Sequence, residues 1–169
     1  MGMQLLETIT VGSGGAASIE FTGIASGSQD VMCIASVRSN NSSVVSNTRV
    51  YFNGNTGGTY PVQYMTGNGS SVTSGSTSYS FAGRMNGAGS PSNTFTTLKI
   101  YVTNHWDYGT LHSSIKSTAE DTAQSSALLA FAGQNETTGG PLTSMKIQTS
   151  GGDTIVEHST ASLYAITAD

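Results

Sequence analysis

The stretch FTTLKIYVT, residues 95–103, carries the clearest strand pattern of the chain. Leu98, Ile100 and Val102 alternate with Thr97, Lys99, Tyr101 and Thr103, so the three aliphatic residues occupy one face of an extended strand. A strand with one apolar face and one polar face lies on a core with its other side in solvent. The stretch therefore predicts a half-buried β-strand.

The same kind of pattern recurs along the chain. In 18–24, Ile19 and Phe21 alternate with polar residues, whereas 31–37 is apolar on both faces, as a central strand of a sandwich would be. Roughly ten such segments recur every 8–12 residues or so, which is typical of an all-β sandwich or barrel. The sequence predicts an all-β fold, an antiparallel, jelly-roll-like β-sandwich of about ten short strands. We expect residues 1–169 to form this single domain. The residues predicted to point inward are Ile19, Phe21, Cys33, Ala35, Val37, Leu98, Ile100, Val102 and Leu163.

Turn signals separate the predicted strands. Asn-Gly at 53–54 supplies the two positive-φ positions of a type I′ turn, and the same dipeptide recurs at 68–69 and 86–87. The tract 67–80 is nearly all Gly, Ser and Thr and is interpreted as a long surface loop. Residues 104–110 are interpreted as a loop too, and 154–158 as a strand.

The amino-acid composition argues against two classes of partner, nucleic acids and membranes. Only 9% of the residues are charged, against about 25% in an ordinary domain, and 26 Ser, 23 Thr and 21 Gly take their place. The net charge is −4 and the six cations are scattered, so a phosphate-tracking groove is not expected and we predict no nucleic-acid partner. The opening MGMQLLETITV does not have the pattern of a signal peptide, and no apolar run reaches the ~18 residues that span a bilayer, so we predict no membrane partner.

Catalytic signatures are missing from the sequence. It contains no H-E-x-x-H, C-x-x-C or G-x-S-x-G motif, and Glu120 and Asp121 are neighbours that would point to opposite faces of a strand. The single cysteine, Cys33, lies in an apolar run and is interpreted as a small buried hydrophobe. We therefore predict a protein that is not an enzyme, with no catalytic residues, cofactor or metal.

The densest polar cluster is the segment around the only tryptophan, and it is the candidate contact site. A sugar or metal site is one interpretation, because an exposed aromatic ring beside Asp and Asn can stack on a glycan and hydrogen-bond to it. The alternative is a loop whose tryptophan packs on the sandwich or on a neighbouring subunit. The candidate interface or glycan-contact residues are Asn104, His105, Trp106, Asp107 and Tyr108.

The order of sequence blocks resembles that of small β-sandwich virion proteins of tailed, notably marine, bacteriophages. The blocks are ITVGSGGAASIEFTGI, DVMCIASVRS, RVYFNGNTGGTY, GNGSSV, LKIYVTN, SMKIQTSGGDTIVEHS and TASLYAITAD, which together span nearly the whole chain. The resemblance implies a structural component of the virion, either a capsid decoration (cement) protein or a short head knob. The alternative that it implies is a receptor-binding, glycan-binding module of a head or tail fibre.

The resemblance also implies partners and a location. We expect the chain to assemble in the host cytoplasm and to reside in the virion, bound to major capsid or other virion proteins. We further expect a homo-oligomer, and specifically a trimer, because icosahedral shells offer three-fold sites and phage fibres are usually trimeric. A host surface glycan is the expected ligand under the adhesin alternative.

Overall fold

The structure, a computed structural model, describes residues 2–24, 30–57, 62–67, 70–103 and 141–167, and the backbone of five strands between 105 and 136. All regular structure in these residues is β-strand, and all pairing between strands is antiparallel. The predicted all-β class is therefore confirmed. Fifteen strands are described where about ten were expected, because several are only three to five residues long.

The first large sheet has five strands. Its order is β1-β15-β3-β8-β11, with β1 at one edge. The strands are β1 (Gly2–Thr10), β3 (Asp30–Val37), β8 (Thr96–Thr103), β11 (Ile115–Glu120) and β15 (Thr160–Thr167).

The second large sheet has four strands in the order β2-β14-β4-β7. These are β2 (Ser18–Thr22), β4 (Val45–Phe52), β7 (Phe81–Asn86) and β14 (Ser144–Thr149). The pairs β1/β15, β2/β14, β3/β8 and β4/β7 are nested one inside the next along the chain and alternate between the two sheets. This nesting is consistent with the jelly-roll order that the sequence predicts.

Two three-stranded sheets accompany the large ones. Their orders are β12-β5-β6 and β13-β10-β9. The strands are β5 (Val62–Gly67), β6 (Val72–Thr77), β9 (His105–Asp107), β10 (Thr110–Ser113), β12 (Leu128–Ala132) and β13 (Gln134–Glu136).

The core lies between the five-stranded and four-stranded sheets. All nine residues predicted to point inward are buried, and they join one apolar cluster with residues of the facing sheet such as Val50, Phe52 and Ile147. Burying a side chain of this size contributes about 1.5–3 kcal/mol of hydrophobic free energy. Alternation along each strand thus located the core correctly.

The prediction that residues 31–37 form a central strand is confirmed, because β3 is the third of the five strands in its sheet. Both faces of β3 carry apolar residues, as predicted, and on the outer face Ile34 is 39% exposed. Ile34 belongs to the side of the sheet that faces away from the core, because it alternates with the buried Cys33 and Ala35.

The turn predictions had mixed outcomes. Asn53 and Gly54 have φ of +50° and +72°, the two positive values that a type I′ turn requires, so this turn is confirmed. At 86–87 the prediction was wrong: Asn86 ends β7, and Gly87 has no positive φ. A Cβ on Gly87 would instead collide with the carbonyl oxygens of Asn41 and Ser43. Residues 68–69 lie outside the described residues.

Two further segments differ from expectation. The tract 67–80, which was predicted to be a loop, contains β6, because the polar side chains of Ser and Thr are compatible with a solvent-exposed strand. Gly75 of β6 lies under the ring of its cross-strand partner Tyr64, and the ring covers the glycine. Residues 154–158 form no strand; Ile155 instead makes isolated bridges to Ala16 and Ser39.

Candidate functional site

Within the segment predicted as the contact site, residues 105–107 form one strand of a hairpin and not a loop. His105–Asp107 is β9, and it pairs with β10 so that Trp106 lies opposite Leu111. The structure describes only the backbone of these three residues, and Asn104 and Tyr108 lie outside the described residues. Asp121, one of the two neighbouring acids, lies outside them as well, whereas Glu120 ends β11. The contact role of 104–108 stays a prediction.

Cys33 is a buried hydrophobe, as the sequence predicts. The thiol lies in the core, and burial raises its pKa from 9.0 to about 12. A neutral buried thiol is a poor nucleophile, because the thiolate is the reactive form. In the described part of the chain no three His, Cys, Asp or Glu residues stand close enough to hold a metal ion together.

A buried arginine organises one end of the sandwich. The Arg38 guanidinium donates from Nη1 to the carbonyl oxygens of Pro91 (2.6 Å) and Thr94 (2.9 Å), and from Nη2 to that of Ser90 (3.1 Å). Its backbone N–H also donates to the Ser159 hydroxyl (3.2 Å). Arg38 thus ties together two loops, the one between β7 and β8 and the one before β15, so its hydrogen-bonding groups are explained by structure.

The feature that stands out is the outer face of the five-stranded sheet. Cross-strand register places Leu5, Tyr164, Met32 and Tyr101 side by side in one row. The row nearer the start of β3 contains Met3 and Ile166, and Ile34 lies in the row on the other side. We call this set the outer patch: Met3, Leu5, Met32, Ile34, Tyr101, Tyr164 and Ile166.

Exposure shows how the outer patch is built. Met32 is only 7% exposed although it lies outside the main core cluster, because Tyr164 and Tyr101 flank it on the same face. Met3 is 54% exposed, and Leu5 at the edge is similarly open. Outer faces of sheets normally carry polar residues, and contiguous exposed apolar groups of this kind often mark an interaction site.

A hydrogen bond fixes one corner of the outer patch. The Tyr101 hydroxyl donates to a carboxylate oxygen of Asp30, which lies on the neighbouring strand. This hydrogen bond, followed by partial burial and the negative charge of Asp30, raises the pKa of the Tyr101 phenol above its usual 10.0. Tyr101 therefore remains a neutral donor at physiological pH, and its ring is held against the sheet.

Strand β1 forms the exposed edge of the same sheet. It pairs with β15 on one side, and within the described residues nothing pairs with its other side. The register shifts between Leu5 and Glu7, so Leu6 is bulged out of the ladder. Such a bulge twists an edge strand and disfavours the addition of a further strand.

The outer face of the four-stranded sheet has a different character. Glu20, Lys146 and Tyr51 are adjacent across three strands, and the Lys146 ammonium lies 5.8 Å from the centre of the Tyr51 ring. The Arg49 guanidinium donates to the Tyr51 hydroxyl (3.2 Å) and stacks 4.9 Å over the ring of Tyr79. Charged groups and aromatic rings contact one another here, while the buried Arg49 Nε has no hydrogen-bond partner among the described residues.

Comparison with known proteins does not assign this chain to a family. No protein-family model matches the chain, and no curated protein matches it. In the part of the chain that the structure describes, no helix is long and apolar enough to cross a membrane.

Sequence reasoning missed the outer patch although one signal was present. The run 31–37 predicts a central strand with apolar residues on both faces, which is the signal that an outward apolar surface leaves in the sequence. The apolar residues of β1 and β15 that complete the outer patch lie about 30 and 130 positions away from it in the chain. Only the strand order brings the three segments together.

Proposed function

We propose that this chain is a non-enzymatic structural protein of a tailed-phage virion, built on a jelly-roll sandwich and acting as a capsid decoration protein or short head knob. The observation that carries the proposal is the outer patch, an apolar surface on a chain with few charges. A surface of this kind favours stable association over free diffusion, since little charge repulsion keeps molecules apart.

The nested strand pairs support the same proposal. Double-sheet jelly rolls occur in viral capsid proteins and in lectins, which are the two settings that the sequence resemblance implies. The satisfied polar end around Arg38 supports a rigid scaffold, because buried hydrogen-bond networks fix loops in one conformation. The virion and its major capsid protein are the proposed location and partner.

Counting copies in intact particles tests this function. Quantitative mass spectrometry of purified virions, with the major capsid protein as internal standard, is expected to find on the order of hundreds of copies, as on a repeating lattice. A count of tens or fewer, or absence from the particle, would contradict the decoration role. Incubation of the protein with host polysaccharide is expected to release no sugar, and release that Asp107→Ala, Glu120→Ala or Asp121→Ala abolishes would contradict the non-enzymatic assignment.

A receptor-binding module is the second candidate, and one observation favours it. Tyr79 is partly exposed, and its ring lies beneath the Arg49 guanidinium next to Phe81, which is an aromatic and cationic combination suited to a sugar ring. Binding to host cells that is lost in Tyr79→Ala or Trp106→Ala, with unchanged thermal stability, would support the adhesin. Equal binding by both variants and the parent protein would exclude these aromatic residues as its contacts.

A further inference from the structure

The outer face of the four-stranded sheet gathers cations that are scattered in the sequence. Strands β2, β4, β7 and β14 carry four charged residues, the cations Arg49, Arg84 and Lys146 and the anion Glu20. Each has inward-facing, buried neighbours on both sides in its strand, so all four share the outer face. These strands therefore carry a charge of +2, and the chain total of −4 leaves −6 for the rest of the molecule.

The three cations lie on one diagonal line across adjacent strands. Lys146 of β14 is opposite Tyr51 of β4, and Arg49 lies two residues away from Tyr51 along β4. Arg84 of β7 is opposite Asn47, which lies another two residues along β4 in the same direction. Diagonal neighbours of this kind are about 7–8 Å apart, so the line is roughly 15 Å long. We call Arg49, Arg84 and Lys146 the cation line.

The charged groups of the cation line are held at the surface. All three side chains are partly exposed, which places their apolar stems along the sheet and their charged ends outwards. The Arg49 guanidinium donates to the Tyr51 hydroxyl and stacks over the Tyr79 ring, so its position is fixed. Arg84 makes no hydrogen bond or ion pair with any residue that the structure describes. The line thus combines a fixed cation with donors that are open to a ligand.

We propose that the cation line binds an acidic polysaccharide whose sugars carry carboxylates. The inference rests on the receptor-binding candidate above and names the class of glycan that it takes. A guanidinium binds a carboxylate through paired N–H donors, and three like charges in a row repel one another until an anion lies over them. Tyr79 is 37% exposed beside Arg49, so its ring can contact the C–H face of a sugar whose carboxylate meets the guanidinium.

A sparsely charged polymer fits the cation line better than a nucleic acid. Duplex DNA carries one charge per about 1.7 Å of its axis, so most of its phosphates would meet the negative remainder of the molecule without a cation. Grooves for single strands stack successive bases on several aromatic rings. On the described part of this face Tyr51 is only 4% exposed, which leaves Tyr79 as the one exposed ring. A polyuronate carries one carboxylate per sugar and needs a single ring contact.

Glu20 provides a test of sign. It lies opposite Lys146 on β2 and two residues off the diagonal, so it repels an anion bound at that end of the cation line. Glu20→Gln removes this repulsion and leaves the three cations in place. It is expected to tighten the binding of an acidic polysaccharide about two- to threefold, whereas a merely structural role of the cations predicts no gain.

Titration calorimetry of the full chain with polygalacturonate tests the site. The parent protein is expected to bind it, with an affinity that falls about tenfold between 50 and 200 mM salt, and not to bind neutral dextran. Arg84→Gln and Lys146→Gln are each expected to weaken binding about three- to fivefold. Lys99→Gln is the matched control, because it removes the same charge from an exposed position on the other sheet, and it should stay within about twofold.

Two other polyanions identify the class of ligand. Polyglutamate presents carboxylates without sugar rings and oligothymidine presents phosphates, and each is expected to bind at least about threefold more weakly at equal concentration of charge. Tyr79→Ala should weaken binding of polygalacturonate and leave binding of polyglutamate unchanged. The thermal midpoint of each variant separates loss of the site from loss of folding, and Lys146→Gln tests the line if Arg84→Gln does not fold.

Several results would overturn the proposal. They are no binding of polygalacturonate by the parent protein, equal losses in Lys99→Gln and the cation-line variants, weaker binding after Glu20→Gln, and tighter binding of polyglutamate or oligothymidine. Binding to host cells that depends on Tyr79 but not on the three cations would also overturn it and would leave the receptor-binding function intact. Absence of any binding to host cells would contradict that function itself.

Discussion

The two outer faces of the sandwich differ in chemistry although both are built from strands of similar length. On the four-stranded sheet, Glu20, Lys146 and Tyr51 follow one another across the strands, and charge, amphipathic stem and ring satisfy each other. On the five-stranded sheet, the central row reads Leu5, Tyr164, Met32 and Tyr101 and ends at Lys116 of β11. The first face is therefore a polar, solvent-facing surface, whereas most of the second row consists of apolar and aromatic side chains on the outside of the sheet.

The difference shows that an ordered sheet face of this sandwich carries exposed apolar surface. Loops at one end are tied down by Arg38, and the chain has few charges to keep copies apart. A face of ordered strands is rigid, so a partner that binds it loses little further conformational entropy. A rigid apolar face of this kind suits binding by surface complementarity.

The largest expected effect on the free energy of unfolding is the loss of a core methionine, which we compare with the loss of a methionine of the outer patch. Met145→Ala, in the core, is expected to lower the free energy of unfolding by about 2–5 kcal/mol, because it leaves a cavity. Met32→Ala is expected to cost only about 1 kcal/mol, since its neighbours can relax towards solvent. Urea unfolding of the monomer measures both. Equal losses would mean that the outer patch is already a closed core.

The next effect is the loss of stability at alkaline pH, which we expect to come from Cys33 on the inner face of β3. Burial raises the pKa of Cys33 from 9.0 to about 12, so the unfolded thiol ionises before the folded one. This contribution to stability is complete below pH 9 and is lost as the pH rises towards 12. Unfolding free energy is expected to fall more steeply in the parent protein than in Cys33→Ala, by up to about 1.4 kcal/mol per pH unit.

The same strand offers a labelling control for that experiment. In the native state Cys33 should resist a thiol reagent, whereas Ile34→Cys in a Cys33→Ala background should react at once, because residue 34 faces outwards. Rapid labelling of native Cys33 would show that the core opens without global unfolding.

A smaller effect is expected from the hydrogen bond at the corner of the outer patch. Tyr101→Phe removes the donor to Asp30 and should lower the free energy of unfolding by about 1 kcal/mol. Tyr164→Phe, in the next position of the row, is the matched control and should change it by less than about 0.5 kcal/mol. Indistinguishable urea midpoints for the two variants would mean that the Tyr101 hydroxyl contributes no stability.

The smallest effect is expected on the polar face. Lys146→Ala removes the ammonium near Tyr51 and opposite Glu20 and should cost about 0.5 kcal/mol. Salt screens exposed charges, so 1 M NaCl should weaken the interaction of Lys146 with Glu20. The difference in the free energy of unfolding between the variant and the parent protein should then become smaller. A difference that grows with salt would indicate that packing of the lysine stem, and not charge, is responsible.

Much of the architecture could be predicted from local pattern. Alternation identified β2 and β8, all nine inward residues and the burial of Cys33, because side-chain direction along a strand depends only on neighbouring positions. The Asn53–Gly54 turn was also predictable, since its φ values follow from residue type. By contrast, β6 was missed in a Gly/Ser/Thr tract, where weak intrinsic preference is overruled by pairing with β5.

The sequence by itself determined an all-β chain, its core residues and its low charge, because these depend on composition and on a period of two along each strand. Only the tertiary structure decided which outward residues become neighbours. Leu5, Met32, Tyr101 and Tyr164 form one row because β1, β15, β3 and β8 lie in that order and register. The physical reason is that cross-strand adjacency is set by long-range hydrogen-bond pairing, which no local window of the sequence contains.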